Sequence, residues 1–348
     1  MKLAITGLII MSSLFSSLKD TFNEAEWEQT TNSVDKSLFY AEHKKDGLFF
    51  NPWLLRTDIG VWEMLKWRFS STPEYSEEAE SFLPNVEQLT AEYINSNDNF
   101  FVWLGHASLI FKINGMVILV DPVLGEIPFV SKRRVPAALS YAEAKKIKGD
   151  VTVLITHNHY DHFDTKSIES MPHETIFIVP KEVGSDVEDM AEDIEGISIT
   201  EMDWWETVNI NNMEITFLPS QHWSRRSPFD TNESLWGSFM IKTGKKKIFI
   251  CGDTGYTTIY KEIALKFPGI DYAFMSAGAY EPRWFMHYAH QSAAEAILGF
   301  KQLGAKKMIP IHWGSFRLGD EPVGYPALQL KEMYDKTLVL DGGQIIKL

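Results

Sequence analysis

The sequence is poor in thiols, in positive charge and in long apolar runs. Its 348 residues include one cysteine, which excludes a disulfide scaffold and any cysteine-built zinc finger. Lysine and arginine number 33 against 47 acidic residues, a formal charge of −14. Such a chain lacks the basic surface that nucleic acid requires as a partner. Its one extended apolar stretch, Leu3 to Phe15 behind Lys2, is about thirteen residues long, whereas a helix crossing a bilayer takes roughly 20. Internal repeats and low-complexity blocks are missing. What remains is ordinary globular material, 45% hydrophobic and 23% charged, enough for one large domain or two moderate ones.

The apolar stretch fits the h-region of a secretory signal or an anchor over residues 1–17, although no A-x-A site follows it. The other reading is an apolar helix packed on the body or lying on a membrane surface. A signal or anchor implies export or membrane association, and otherwise the chain is cytoplasmic. Residues 18–46 are polar and acidic and read as a loose lead-in. Trp62, Leu65 and Phe69 share one face of a short amphipathic helix. Pro73 and Pro84 break the polar stretch that follows. This divides the chain into an N-terminal extension, 18–99, and a main domain, 100–348.

From Phe100 the pattern changes. Apolar runs at 101–113 and 116–120, joined by Asn114-Gly115, predict a hairpin. Further strands are expected at 151–156, 176–179, 197–202, 214–218, 239–242, 248–251, 308–311 and 337–340. Helical patterns fall at 141–147, 187–194, 257–267 and 293–303. Strands dominate while helices recur throughout, which suggests two sheets packed face to face with helices outside.

The chemistry concentrates in His157-Asn158-His159-Tyr160-Asp161-His162, directly after the run VTVLIT. Three imidazoles and a carboxylate within six residues would repel or desolvate one another as a purely structural feature. They are, however, the nitrogen and oxygen donors that zinc prefers, at a spacing that suits two neighbouring ions. Single metal-capable residues stand after other strands: His222 in PSQHW, Asp253 in CGDTGY and His312 in IPIHWG. Strand ends are where loop residues converge on a shared site. Gly252, Gly255 and Gly314 allow close backbone approach there. Cys251 ends an apolar strand and reads as a buried structural thiol. His43, His173 and His287 have no such context and are expected at the surface.

With these residues in view, the chain resembles the metallo-β-lactamase superfamily. Within it, the chain is similar to the N-acyl-phosphatidylethanolamine-hydrolysing phospholipase D branch. WLGHASLIF, HNHYDHFD, DWWE, PSQHWSRRSPFD, LWGSF, GDTGY, AYEPRWFMHYAH and IHWGSF carry the likeness. The resemblance implies an α/β fold, the αβ/βα four-layer sandwich, making 100–348 a hydrolase domain. It implies two Zn2+ ions, one on His157, His159 and His222 and the other on Asp161, His162 and His312. Asp253 would bridge them. His290 would be a catalytic or phosphate-contacting group, and Asp121 a partner behind a ligand histidine. His106 is left between lining the site and buried structure. A homodimer is also implied.

Two metal ions suit hydrolysis, with Asp161 orienting the attacking water and His290 aiding the leaving group. Four of the eight arginines, namely Arg225, Arg226, Arg283 and Arg317, fall in loops that carry site residues. Their planar forks suit phosphate oxygens, although local acids would also pair with them. Aromatic residues in the same loops suit an apolar mouth for acyl chains. The expected activity is therefore a phosphodiesterase of phospholipase D type that converts N-acyl-phosphatidylethanolamine to N-acylethanolamine and phosphatidate. The alternative is a lactonase or carboxylic-ester hydrolase. Peripheral membrane contact would fall to the N-terminus and the run Lys132-Arg133-Arg134.

Overall fold

The computed structural model describes residues 22–56, 61–70, 72–127 and 131–348. The expected signal or anchor over 1–17 lies outside them. Two sheets form the body. The first has seven strands: β1 (Phe100–Gly105), β2 (Ser108–Ile113), β3 (Met116–Val120), β4 (Val151–Leu154), β5 (Ile176–Pro180), β6 (Ser198–Met202) and β13 (Ile345–Lys347). The second has six: β7 (Thr207–Ile210), β8 (Met213–Leu218), β9 (Ser238–Thr243), β10 (Lys246–Ile250), β11 (Tyr272–Ser276) and β12 (Lys307–Ile311). Their orders are β13-β1-β2-β3-β4-β5-β6 and β12-β11-β10-β9-β8-β7.

Side-chain alternation explains the layering. Phe101, Trp103, Leu109, Phe111, Ile118 and Val120 join the core shared with Phe217, Phe239 and Phe274 of the second sheet. Their neighbours Phe100, Val102, Leu104, Ile110, Val117 and Leu119 face a separate core against the outer helices. Strands buried on both faces read as unbroken apolar runs rather than alternating ones. Helices α3 (Gly184–Met190), α4 (Ile259–Lys266), α5 (Ala293–Leu303) and α6 (Tyr325–Met333) accompany the sheets. Helix α5 is the best specified of these. Ser292 and Glu295 close a capping box at its start, and Gly304, at φ 62°, ends it in a left-handed cap.

Each sheet changes from antiparallel to parallel pairing part-way across. β1 to β3 pair antiparallel and β3 to β6 parallel. β8 to β10 pair antiparallel and β10 to β12 parallel. The carboxyl ends of the parallel strands β3, β4, β10 and β12 deliver Asp121, His157, Asp253 and His312. In sheets of this kind such ends form the crevice where ligands bind.

Several sequence expectations need correction. The run 101–113 is two strands, broken at Gly105 and His106, whose φ values are 109° and 53°. Residues 337–340 do not form a strand and contribute one bridge, Met308 to Thr337. β7, β11, β13 and α6 were not expected. In α6, Pro326 looks like a breaker but occupies the first turn, where its missing N–H costs nothing. The loose lead-in is also wrong: α1 (Glu24–Asn32) is helical, with the Asn23 side chain accepting from the Glu26 amide and Trp27 buried. The amphipathic helix near Trp62 exists as α2 (Val61–Phe69), but Trp62 is 59% exposed and Leu65 36%. Among the described residues, no helix is long and apolar enough to cross a membrane.

Candidate metal centre

His157, His159, Asp161 and His162 follow β4 on a loop that turns back on itself through the His162 and Phe163 amides, both donating to the His159 carbonyl. Arg226 locks this loop from outside. Its guanidinium donates to the Asn158 and Phe163 carbonyls (3.2 and 2.6 Å) and stacks on Tyr160 and Phe163. His222 arrives from the segment after β8, Asp253 from that after β10 and His312 from that after β12. His312, His106 and Asp121 all have positive φ (63°, 53° and 42°). This backbone strain costs on the order of 1–3 kcal/mol per residue and clusters at functional sites. Gly252 and Gly255 permit the approach expected of them: a Cβ would lie 2.7 Å from the Gly237 carbonyl oxygen or 2.1 Å from that of Tyr288.

The side chains form two donor clusters, His157/His159/His222 and Asp161/His162/His312, the second joined by His106. In the first, His159 Nδ1 is 2.9 Å from His157 Nε2 and 3.2 Å from His222 Nε2. In the second, Asp161 Oδ2 is 3.2 Å from His312 Nε2 and 3.7 Å from His162 Nε2. Asp253 Oδ2 lies between the clusters, 3.0 Å from His312, 3.3 Å from His162 and 4.0 Å from His222. His290 Nδ1 is 3.8 Å from the same oxygen.

Outer hydrogen bonds fix the tautomers. Thr156 Oγ1 donates its single proton to Asp121 Oδ2 (2.7 Å), so it accepts from His157 Nδ1 (3.0 Å). His162 Nδ1 donates to Asp121 Oδ2 at 2.8 Å, and His222 Nδ1 donates to the Ala289 carbonyl at 3.0 Å. All three rings therefore turn an Nε2 lone pair inward. His159 Nδ1 carries at most one proton, so it cannot satisfy both inward nitrogens beside it. His162 Nε2 and His290 Nδ1 are buried without a hydrogen-bond partner. An unpaired buried polar atom is costly. A divalent cation in each cluster would satisfy the inward nitrogens of its own histidines, whereas His290, outside both clusters, keeps Nδ1 open beside them.

The protonation tendencies agree in the first cluster. In the second, burial would lower His162 and His312, but Asp253 and Asp161 outweigh it and raise His162 well above its usual range and His312 to about 9, so a cation there would displace their protons. Burial, followed by the neighbouring imidazoles, holds His157 well below its usual range; burial also holds His222 well below and takes His159 down to about 3. Burial alone would raise Asp161 and Asp253, but the surrounding histidines hold both well below the usual carboxylate range. Neutral imidazole with ionised carboxylate is the donor set that a divalent cation takes.

This geometry has counterparts. The family model for the beta-lactamase superfamily domain matches residues 117–313. The chain belongs to the metallo-β-lactamase superfamily. It is a metal-dependent hydrolase of that superfamily by fold and donor set. It is 32% identical over 272 residues to N-acyl-phosphatidylethanolamine-hydrolyzing phospholipase D 1 of Caenorhabditis elegans, covering 74% of this chain and 75% of that one. A mitochondrial protein of that name from Saccharomyces cerevisiae is 33% identical over 230 residues, 63% of this chain and 48% of its own. A solved metallo hydrolase from Ignicoccus hospitalis shares the superfamily fold, with a TM-score of 0.56, 19% identity and coverage of 72% and 98%.

The other expected residues are placed as follows. Asp121, which the resemblance puts behind a ligand histidine, accepts from His162 Nδ1 at 2.8 Å. His106 is fully buried and donates from Nε2 to Asp161 Oδ2 at 3.0 Å, with its ring 4.2 Å from that of His312. It thus combines both of the roles left open for it. Arg225 is exposed at the rim and packs on Trp223, which meets the His159 ring edge-on at 4.6 Å. Arg226 and Arg283 are turned into the protein. Arg283 is 8% exposed and pairs with Glu24 and Glu295 at 2.9 Å each, which sets it apart from a substrate-facing cation. Arg317 pairs with Glu80. Within the basic run, Arg133 bends inward onto the Val123 and Gly125 carbonyls. Cys251 is buried, as expected. His43 and His287 depart from the surface expectation. His43 stacks on Trp204 and bonds Asp203 at 2.7 Å, and His287 packs against Phe22 and Trp27.

Sequence reasoning missed three supports in the N-terminal stretch. Asn51 Nδ2 donates to the His222 carbonyl and to Tyr288 Oη, Trp53 Nε1 donates to Gln221 Oε1, and Arg56 stacks 3.8 Å from the Trp223 ring centre. Asn51-Pro52-Trp53 reads as a turn, but nothing local in the sequence links it to residues some 170 positions away.

Proposed function

We propose that this chain is a two-zinc phosphodiesterase of phospholipase D type. His157, His159 and His222 hold one Zn2+, Asp161, His162 and His312 hold the other, and Asp253 is shared. The observation that carries this reading is the pair of donor clusters meeting at one carboxylate, with the Arg225–Trp223 pair at the edge of the first. Bound divalent cations would polarise a water molecule and neutralise charge gathering on the phosphoryl oxygens.

The chain's own residues do the rest. Asp161, with Oδ2 held by His106, orients the attacking water. His290 is pushed down to about 4 by burial and is neutral in the protein alone. A diester anion against Nδ1 raises its basicity, so it takes a proton from solvent as the substrate binds and passes it to the leaving alkoxide oxygen as that oxygen develops charge. Arg225, presented on Trp223, meets the anion at the rim. Half-buried Tyr160, Trp223, Trp284 and Phe285 remain available to acyl chains, whereas Trp236, Tyr280, Trp313 and Phe316 are core. The names of the two relatives support N-acyl-phosphatidylethanolamine as the substrate.

The test is incubation of the zinc-loaded protein with that lipid in mixed micelles. Release of N-acylethanolamine is expected. No release, with turnover of a lactone or carboxylic ester, would overturn the substrate assignment. That second reading gains support from Arg226 and Arg283 being engaged within the protein.

A further inference from the structure

The loop from Arg283 to Gln291 touches the centre at several points. The Ala289 carbonyl orients His222, the Gln291 amide donates to the Thr254 carbonyl beside Asp253 (2.9 Å), and His290 enters the centre itself. Its outer side is held by a helix that lies far away in sequence and outside the matched family domain. Glu24, at the start of α1, accepts from Arg283 Nε at 2.9 Å and from Nη2 at 3.4 Å. Arg283 Nη1 donates to the His290 carbonyl at 3.2 Å, and Nη2 donates to Glu295 at 2.9 Å. Glu295 also accepts the Ser292 amide at 2.7 Å and the Trp27 indole N–H at 3.0 Å. The His287 ring lies 4.5 Å from Phe22 and 4.4 Å from Trp27.

We propose that α1 is a positioning strap for His290, acting through the Glu24–Arg283–His290 backbone chain. The proposal rests on the catalytic role assigned to His290. Three features carry it. Arg283 spends its fork on one acid from the strap, one acid from the cap of α5 and the carbonyl of His290 itself, so the ion pair and the catalytic backbone share one rigid group. Glu24 is largely exposed, with 58% of its side chain accessible, and buried Arg283 keeps a second acid, Glu295, when Glu24 is neutralised, so the Glu24 pair adds little to folding stability. Its effect is therefore geometric: it removes one way for Arg283, and with it His290, to shift. A displacement of about 1 Å at a reacting group costs up to about a hundredfold in rate.

The experiment uses the full-length zinc-loaded chain and bis(4-nitrophenyl) phosphate as probe. Five proteins are compared: wild type, Glu24→Gln, His290→Ala, the Glu24→Gln/His290→Ala double variant and Arg283→Lys. Metal content, melting temperature, kcat and KM are measured on each. Glu24→Gln is expected to lower kcat about tenfold, with KM and zinc content unchanged and the melting temperature shifted by no more than a degree or two. In the His290→Ala background it should cost nothing further, because the group it positions is gone. Arg283→Lys, which retains charge but not the fork, should behave like Glu24→Gln. Equal losses from Glu24→Gln with and without His290 would overturn the strap and leave the role of His290 standing. An unchanged kcat in Glu24→Gln would do the same. A normal rate in His290→Ala would overturn the catalytic assignment, and the strap with it.

Discussion

The two donor clusters differ in charge and in what stands behind them. His157, His159 and His222 contain no carboxylate, and their outer partners are a hydroxyl and a carbonyl. Asp161, His162 and His312 include one carboxylate, sit closer to Asp253 and are backed by Asp121. Charge near a divalent cation strengthens its binding, and an anionic partner behind a histidine raises that ligand's basicity. On the proposed two-zinc reading the second cluster is therefore the tighter site and the first the looser one. The looser cluster also lies beside Trp223 and Arg225, where a substrate anion would enter.

Removing the shared ligand tests this asymmetry most severely. Asp253→Ala should leave less than one zinc per chain and lower kcat by about a thousandfold or more, since neither cluster keeps its bridge; elemental analysis and steady-state kinetics check both. Asp121→Asn separates the clusters. It should weaken metal at the second, where Asp121 holds His162 directly, by about 10–100-fold, and weaken the first less, because Asp121 reaches His157 only through the Thr156 hydroxyl, visible as unequal shifts of the two phases of a zinc titration. Graded chelation of wild type should likewise come off in two steps. A single step would remove the distinction. Arg225→Ala should raise KM for a diester anion several-fold, about the cost of one charge-assisted contact, with zinc content unchanged.

The smallest effect lies away from the clusters. Glu321 is buried, accepts the Tyr280 and Glu281 amides and is pushed up to about 7 by burial. The folded protein therefore binds this proton more tightly than the unfolded chain, whose value is 4.5. The stability from that proton is full below about 4.5 and is lost as pH rises through about 7. Glu321→Gln should flatten the melting temperature against pH over this interval. The slope is the readout, because the amide also changes one hydrogen bond.

The metal centre was legible because its chemistry is local: four of the seven proposed ligands lie within six residues, and the others follow apolar strands. The two-sheet frame was legible from the same runs. Elements that depend on distant packing were not. Nothing in YAFMS distinguishes β11 from a buried helical turn, and α1 lies in a polar segment whose one large apolar side chain is Trp27. The arginines mark the limit most plainly. Arg225 and Arg226 are adjacent, yet one is exposed on Trp223 and the other is half-buried and donates to backbone carbonyls. Arg283 looked like a substrate contact because its partner Glu24 is 259 residues away. Composition hinted at a cation-poor surface, but it could not say which few cations face outward.

The central claim is two linked metal sites of unequal strength. The most direct measurement is the zinc content of the full-length chain after equilibration with zinc and removal of excess by dialysis. The account predicts two ions per chain, falling to one before any loss of the second as chelator is raised. Fewer than about one ion per chain under these conditions would contradict it.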